Sequence, residues 1–230
     1  MSPLLIPLAI ILILVGVLFL RTMWKWQEQR TKEFKRISEQ LGMTFSARVK
    51  GRAKDQATPP LPLFREGRSR VVTNMLHGDS ELLGFAEEFE VRIFAYGFAQ
   101  QQQDQHRMQS VICFQSPQLN LPKSQLRPEH FFDKIGSKLG YQDIDFESHP
   151  TAVEFSKKYL LRGKDEQKIR ALFTDEVLAF FAGQDNVYVE GFSSHLCFYR
   201  ELKLIEPEDI PAFMKEGFEV FRLFASSQPS

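Results

Sequence analysis

Side chains and motifs that usually carry chemistry are scarce in this chain. It has two cysteines and five histidines, without a Cys-x-x-Cys or an H-E-x-x-H spacing. Structural and catalytic zinc sites need such spacings, because one turn or one helix face must supply several ligands. The sequence also lacks the P-loop pattern and the G-x-S-x-G turn of serine hydrolases. These absences predict no metal and no cofactor, and they favour a protein that is not an enzyme.

Net charge is also absent, since 29 basic residues balance 29 acidic ones. The balance is uneven along the chain. Residues 21–36 hold six basic and two acidic side chains, a net charge of +4, so the remainder carries −4. A neutral to acidic body argues against nucleic-acid binding.

The two cysteines, Cys113 and Cys197, each lie in an apolar run typical of a strand. They could form one disulfide or remain buried thiols. Buried thiols are the favoured interpretation, because a chain of this size can be stabilised by its core and does not need a disulfide.

A long hydrophobic run occurs once, at the N-terminus. Residues 3–20 carry no charged side chain, and a helix of that length spans roughly 27 Å of the ~30 Å hydrocarbon core of a bilayer. We therefore predict a transmembrane helix over residues 3–23. The interfacial residues that we expect beside it are basic or aromatic: Arg21, Trp24, Lys25 and Trp26.

A cleaved signal peptide is the alternative for this run. Signal peptides begin with a basic segment and end at small residues, whereas this chain begins Met1-Ser2-Pro3 and continues past the run with bulky residues. We therefore expect an uncleaved anchor. Its flanking basic side chains all follow the span, which predicts an external N-terminus and a cytoplasmic C-terminal domain.

Periodicity predicts the fold of the remaining chain. Residues 24–41 are typical of a helix with Phe34, Ile37 and Leu41 on one side, which continues from the span and ends at Gly42. Alternating apolar residues then predict separated hairpins with helices between them. The fold class expected is α+β, with a mostly antiparallel sheet and helices packed on one face. We place this domain at residues 42–226, with a tail at 227–230. The predicted strands lie at 42–49, 70–78, 89–99, 107–116, 124–129 and in a hairpin at 186–200, and the predicted helices at 129–140, 164–183 and 207–226.

An acidic link at residues 142–150 is the strongest candidate for chemistry. It contains Asp143, Asp145, Glu147 and His149, and carboxylates with a histidine can bind a metal or transfer protons. The link lacks the glycine and the closing glutamate of a calcium loop. A solvated loop is therefore the favoured interpretation, and a membrane-tethered hydrolase or metal-dependent enzyme is the alternative.

Four phrases of the sequence together resemble a family of bacterial single-span membrane proteins: "EQLGMTFS", "LPLFREGRSRVVTN", "FESHPTAVEFSKKYLLRG" and "IRALFTDEVLAFF". The resemblance covers most of the chain. It implies one N-terminal span in the bacterial inner membrane and a cytoplasmic domain, and it supplies no activity or site.

The function expected from these observations is that of a membrane-anchored interaction or scaffold domain. Its N-terminal helix would contact lipid, and its cytoplasmic domain would bind a protein partner or the membrane surface.

Overall fold

The computed structural model describes residues 5–50, 58–65, 67–99, 106–129 and 142–227. Its first element is the helix α1, Leu5–Gln40, with 36 residues. At 1.5 Å per residue this helix is about 54 Å long. It includes the apolar run and the following amphipathic stretch without interruption, as the sequence predicts.

The described residues after α1 form a nine-stranded sheet whose neighbouring strands are all antiparallel. The strand order is β1-β2-β3-β4-β9-β8-β5-β7-β6. The strands are β1 (Thr44–Val49), β2 (Arg68–Asp79), β3 (Glu90–Ala99), β4 (His106–Gln115), β5 (Leu121–Pro128), β6 (Gln142–Asp143), β7 (Tyr159–Gly163), β8 (Tyr188–Ser193) and β9 (His195–Tyr199).

Helices and the end of α1 contribute side chains to a core on one face of this sheet. Phe114 of β4, for example, contacts the rings of Phe218 and Phe221, at centroid distances of 5.1 and 4.9 Å. Among the described residues, the helices that follow α1 are α2 (Ser80–Leu83), α3 (Pro150–Lys158), α4 (Glu166–Leu172), α5 (Asp175–Ala182) and α6 (Ile210–Ser226). The predictions of an α+β fold and a mostly antiparallel sheet are therefore confirmed.

A second apolar cluster lies on the opposite face of the sheet, under residues 58–65, which we call the strap. The strap contains one 3-10 turn, Pro62–Arg65. The ring of Phe64 lies 6.0 Å from that of Phe94 and 5.1 Å from that of Tyr96. The two apolar faces of β3 are thus both covered, one by helices and the other by the strap.

The cysteines are joined in a disulfide, so the expectation of free thiols is wrong. Cys113 of β4 and Cys197 of β9 are directly paired, with Cα atoms 4.2 Å apart. They are separated by 84 residues in sequence, and only the pairing of β4 with β9 makes them neighbours. The helix predicted over 129–140 lies outside the described residues except for its first residue.

Candidate functional site

The junction between α1 and the domain is the first candidate site. The helix ends at Gln40. Gly42 follows with a left-handed φ of 68°, and the Met43 N–H donates to the Ser38 carbonyl oxygen at 2.8 Å. This end reverses the chain into β1. Phe34 and Ile37 are buried in the helix-side core, so the last turns of α1 belong to the domain.

Arg30, which precedes Phe34 on α1, also binds the helix to the domain. It is buried, with 6% of its surface exposed. Its guanidinium donates to the Glu206 carboxylate at 2.6 Å and to the Ile205 carbonyl oxygen at 2.5 Å. It also lies over the rings of Trp26 and Phe34, 5.5 and 4.9 Å from their centroids. Burial lowers the pKa of Arg30, and the Glu206 carboxylate opposes this effect.

Sequence reasoning missed this role of Arg30, which it counted only among the charges that set topology. The contact joins residues separated by 175 and 176 positions. A basic residue in an amphipathic helix is ordinarily solvated, so its local pattern holds no sign of burial.

The N-terminal part of α1 differs sharply from the junction. Large apolar side chains from Ile10 to Met23 are exposed, and by length and composition this is the one described helix that could cross a membrane. A signal sequence meets the same two criteria. The predicted interface residues follow this run and are also exposed, namely Arg21, Trp24, Lys25 and Trp26. Their contact with lipid stays a prediction.

The acidic link is held in the domain by its buried residues Ile144 and Phe146 and by two cations. Asp143 of β6 accepts hydrogen bonds from Arg162 at 2.5 and 3.3 Å. The carbonyl oxygen of Asp145 accepts a bond from Arg170 at 2.8 Å, while Glu147 is exposed. Two cations from different elements therefore hold this link in place.

His149 has a separate role at the start of α3. Its Nδ1 accepts the Ala152 N–H at 3.3 Å, which caps the helix, and its Nε2 lies 2.8 Å from Asp175. Within the described parts of the chain, no group of three or more His, Cys, Asp or Glu side chains is placed to hold a metal. The enzymatic alternative at Asp143, Asp145, Glu147 and His149 stays a prediction.

A row of directly paired residues, one from each strand, crosses the described sheet on the face that the strap covers. Directly paired residues of antiparallel neighbours project to the same face. Apart from the two cysteines of the disulfide, the residues of this row are all polar. In sheet order they are Thr44, His77, Arg92, Cys113, Cys197, Glu190, Gln125, Arg162 and Asp143.

Glu190 lies near the middle of this row and is fully buried beneath the strap. Its carboxylate accepts the Leu63 N–H of the strap at 3.0 Å, the Gln125 amide at 2.9 Å and the Tyr199 hydroxyl at 3.1 Å. Burial raises the pKa of Glu190 to about 7, although these hydrogen bonds act to lower it. The strap is thus held to the sheet by a group that titrates near neutral pH.

Comparisons with known proteins add a fold and no family. No protein-family model matches this chain, and no curated protein does. Among solved structures it is similar to the crystal structure of the mycobacterial trehalose monomycolate transport factor A, TtfA, with a TM-score of 0.58 and 9% sequence identity. The match covers 86% of this chain and 93% of that chain. At this identity the likeness concerns the fold alone, and the chain therefore has the fold seen in TtfA.

Proposed function

We propose that this protein is a membrane-anchored interaction domain, not an enzyme, which holds a protein partner at the membrane. The observation that carries this proposal is the junction at Arg30. One continuous helix leads from the exposed apolar run into the core of the domain, and buried contacts fasten it there. The domain is therefore coupled to its anchor without a flexible linker.

The geometry keeps the domain close to the bilayer. Six residues separate Trp24 from Arg30, which is about 9 Å along a helix. A domain held at this distance meets partners that are themselves in or on the membrane. TtfA, which shares the fold, is described as a transport factor, and the proposed role is consistent with that description.

We place the N-terminus outside and the domain in the cytoplasm, at the bacterial inner membrane. Six basic side chains follow the span within residues 21–36, which favours this orientation. The disulfide opposes it, since disulfides persist mainly in oxidising compartments. A C-terminal alkaline phosphatase fusion is expected to be inactive and a fluorescent-protein fusion to be bright. The reverse pattern would place the domain outside.

Retention of the helix can be tested on protein purified from its own membranes. Intact mass spectrometry is expected to find the apolar run still attached, and the chain is expected to resist extraction by alkaline carbonate. A mature chain that begins after the apolar run would mean that this segment is a signal sequence.

The partner can be sought with a photo-crosslinking residue on the exposed surface of the domain in intact membranes. We expect one defined protein to be recovered with the wild type. Arg30→Ala should reduce its recovery, because the domain loses its fixed position, whereas Arg36→Ala, an exposed change on the same helix, should not. Recovery of the uncrosslinked monomer alone would count against the proposal.

A further inference from the structure

The two ends of β2 lie in segments of opposite charge. Residues 48–70 contain seven basic and two acidic side chains, a net charge of +5, whereas residues 79–90 contain five acidic side chains and no lysine or arginine. β2 begins in the first segment and ends in the second. β2 therefore runs from a basic segment into an acidic one, and we call the corresponding ends of this strand the basic end and the acidic end.

The position of α1 shows where the anchor lies relative to these ends. Arg30 bonds to the Ile205 carbonyl oxygen, and the Ile205 N–H donates to Ser110 of β4 at 2.9 Å. Arg30 thus lies at the level of Ser110. Four residues further along β4, Phe114 marks the level of the acidic end, because it is paired with Val91.

The C-terminal end of α1 reaches that acidic level. Val91 is paired with Gly78, and a Cβ on Gly78 would lie 3.3 Å from the Met43 side chain, just after the helix. The helix therefore runs from the Ser110 level towards the acidic end. Its membrane-proximal part lies on the side of the basic end.

The distances place the basic end near the predicted interface. Four residues of β4 separate Ser110 from His106, about 13 Å along a strand. His106 is paired with Ala99, which is paired with Arg68 at the start of β2. Because Trp24 lies about 9 Å before Arg30 on the helix, the start of β2 reaches roughly its level.

Exposed cations lie at and near this end. We define the basic rim as Lys50, which follows β1, and Arg68 and Arg70 of β2, which are all exposed. Arg70 also donates to the Phe64 carbonyl oxygen and so supports the strap. Lys50 and Arg68 are therefore the positions chosen for substitution.

We propose that the basic rim docks onto the headgroups of anionic phospholipids beside the anchor. This inference rests on the proposed membrane anchoring. Each basic side chain near an anionic membrane surface strengthens binding roughly fivefold, so three of them contribute roughly a hundredfold. The acidic end is repelled by the same surface, and the two effects together orient the domain.

The test uses the full-length protein in vesicles of phosphatidylcholine, with or without phosphatidylglycerol. A fluorophore on Ser69→Cys, within the exposed rim, reports proximity to lipids that carry a spin label on the headgroup. A second fluorophore on Glu81→Cys, at the acidic end, is the reference. The native cysteines are buried in their disulfide and do not compete for the label.

We expect strong quenching at Ser69 with phosphatidylglycerol, weak quenching without it or at high salt, and little quenching at Glu81 in either membrane. The double variant Lys50→Gln, Arg68→Gln should lose most of the dependence on phosphatidylglycerol. A matched double variant of exposed lysines on the helices should keep it: Lys157→Gln and Lys215→Gln. Quenching at Ser69 that is independent of phosphatidylglycerol, or no stronger than at Glu81, would overturn the proposal and favour a protein at the rim.

Extraction with alkaline carbonate distinguishes failure of the docking from failure of the membrane anchor. A chain that carbonate extracts from both kinds of vesicle has no membrane span, and the function proposed above then fails. Sedimentation of that full-length chain with preformed phosphatidylglycerol vesicles still decides the rim. The double rim variant is expected to bind roughly 25-fold more weakly than wild type, at about fivefold for each cation, and equal binding would refute the docking.

Discussion

Glu190→Gln tests the buried contact between the strap and the sheet. Glutamine has nearly the shape of glutamate and keeps an oxygen that can accept the Leu63 N–H, but it cannot ionise. We predict that the substitution removes a pH-dependent part of the stability. The effect arises because Glu190 is fully buried and because its pKa is raised to about 7 by that burial.

The sign and size of the effect follow from proton linkage. The folded pKa lies above the ordinary value of 4.5, so between these pH values the folded protein holds the proton of Glu190 more tightly than the unfolded chain. The stabilisation is fully present below about pH 4.5 and is lost as the pH rises through about 7. At 1.36 kcal/mol for each pH unit, the difference amounts to about 3 kcal/mol.

Urea unfolding of the full-length protein in detergent, followed by circular dichroism between pH 4.5 and 8, measures this effect. The disulfide is kept intact in both proteins. The free energy of unfolding of wild type relative to Glu190→Gln should fall by about 3 kcal/mol over this range. The exposed Glu176→Gln serves as a matched control for the loss of one carboxylate. A relative stability that changes by less than about 1 kcal/mol would show that Glu190 is not buried as described.

Further predictions concern the junction, the disulfide and a close contact between strands. Arg30→Ala should lower the free energy of unfolding by about 2–3 kcal/mol, because the buried Ile205 carbonyl loses its donor; Arg36→Ala should change it by less than about 0.5 kcal/mol, and equal effects would contradict the junction. Replacing both cysteines by serine should cost about 2–4 kcal/mol, since the disulfide closes a long loop; a double variant as stable as oxidised wild type would refute the disulfide. Gly163→Ala should cost more than about 1 kcal/mol, because its Cβ would lie 2.7 Å from a carbonyl oxygen of the neighbouring strand; an unchanged melting temperature would contradict this packing.

Local patterns were sufficient to predict most of the secondary structure. Residues 89–99 were predicted as a strand from their alternation, and β3 occupies Glu90–Ala99 with most of its residues buried. Thr174 has a side chain that favours a helix N-cap, and its hydroxyl accepts the Val177 N–H at the start of α5. Such features depend on residues a few positions apart, so a short window of sequence contains the physical cause.

The contacts that form the candidate sites could not be predicted from local sequence patterns. The sequence predicted a candidate site in the acidic link because its charges are close in sequence, yet Asp143 and His149 contact different partners in the fold. Glu190 lies in a predicted hairpin strand, and no sequence pattern indicated that it is buried. Its burial results from the strap, which comes from a distant part of the chain and donates the Leu63 N–H to it.

The sequence by itself determined the long apolar helix, its basic flank, the hairpins and the amphipathic helices, because hydrophobic periodicity and turn residues act locally. Only the tertiary structure decided that β4 lies beside β9, that Cys113 meets Cys197, and that Arg30 is buried against Glu206. These contacts join residues that are far apart in the chain. They form where packing and hydrogen bonding offset the entropy cost of closing a long loop. A local sequence pattern does not indicate which distant residue will be the partner.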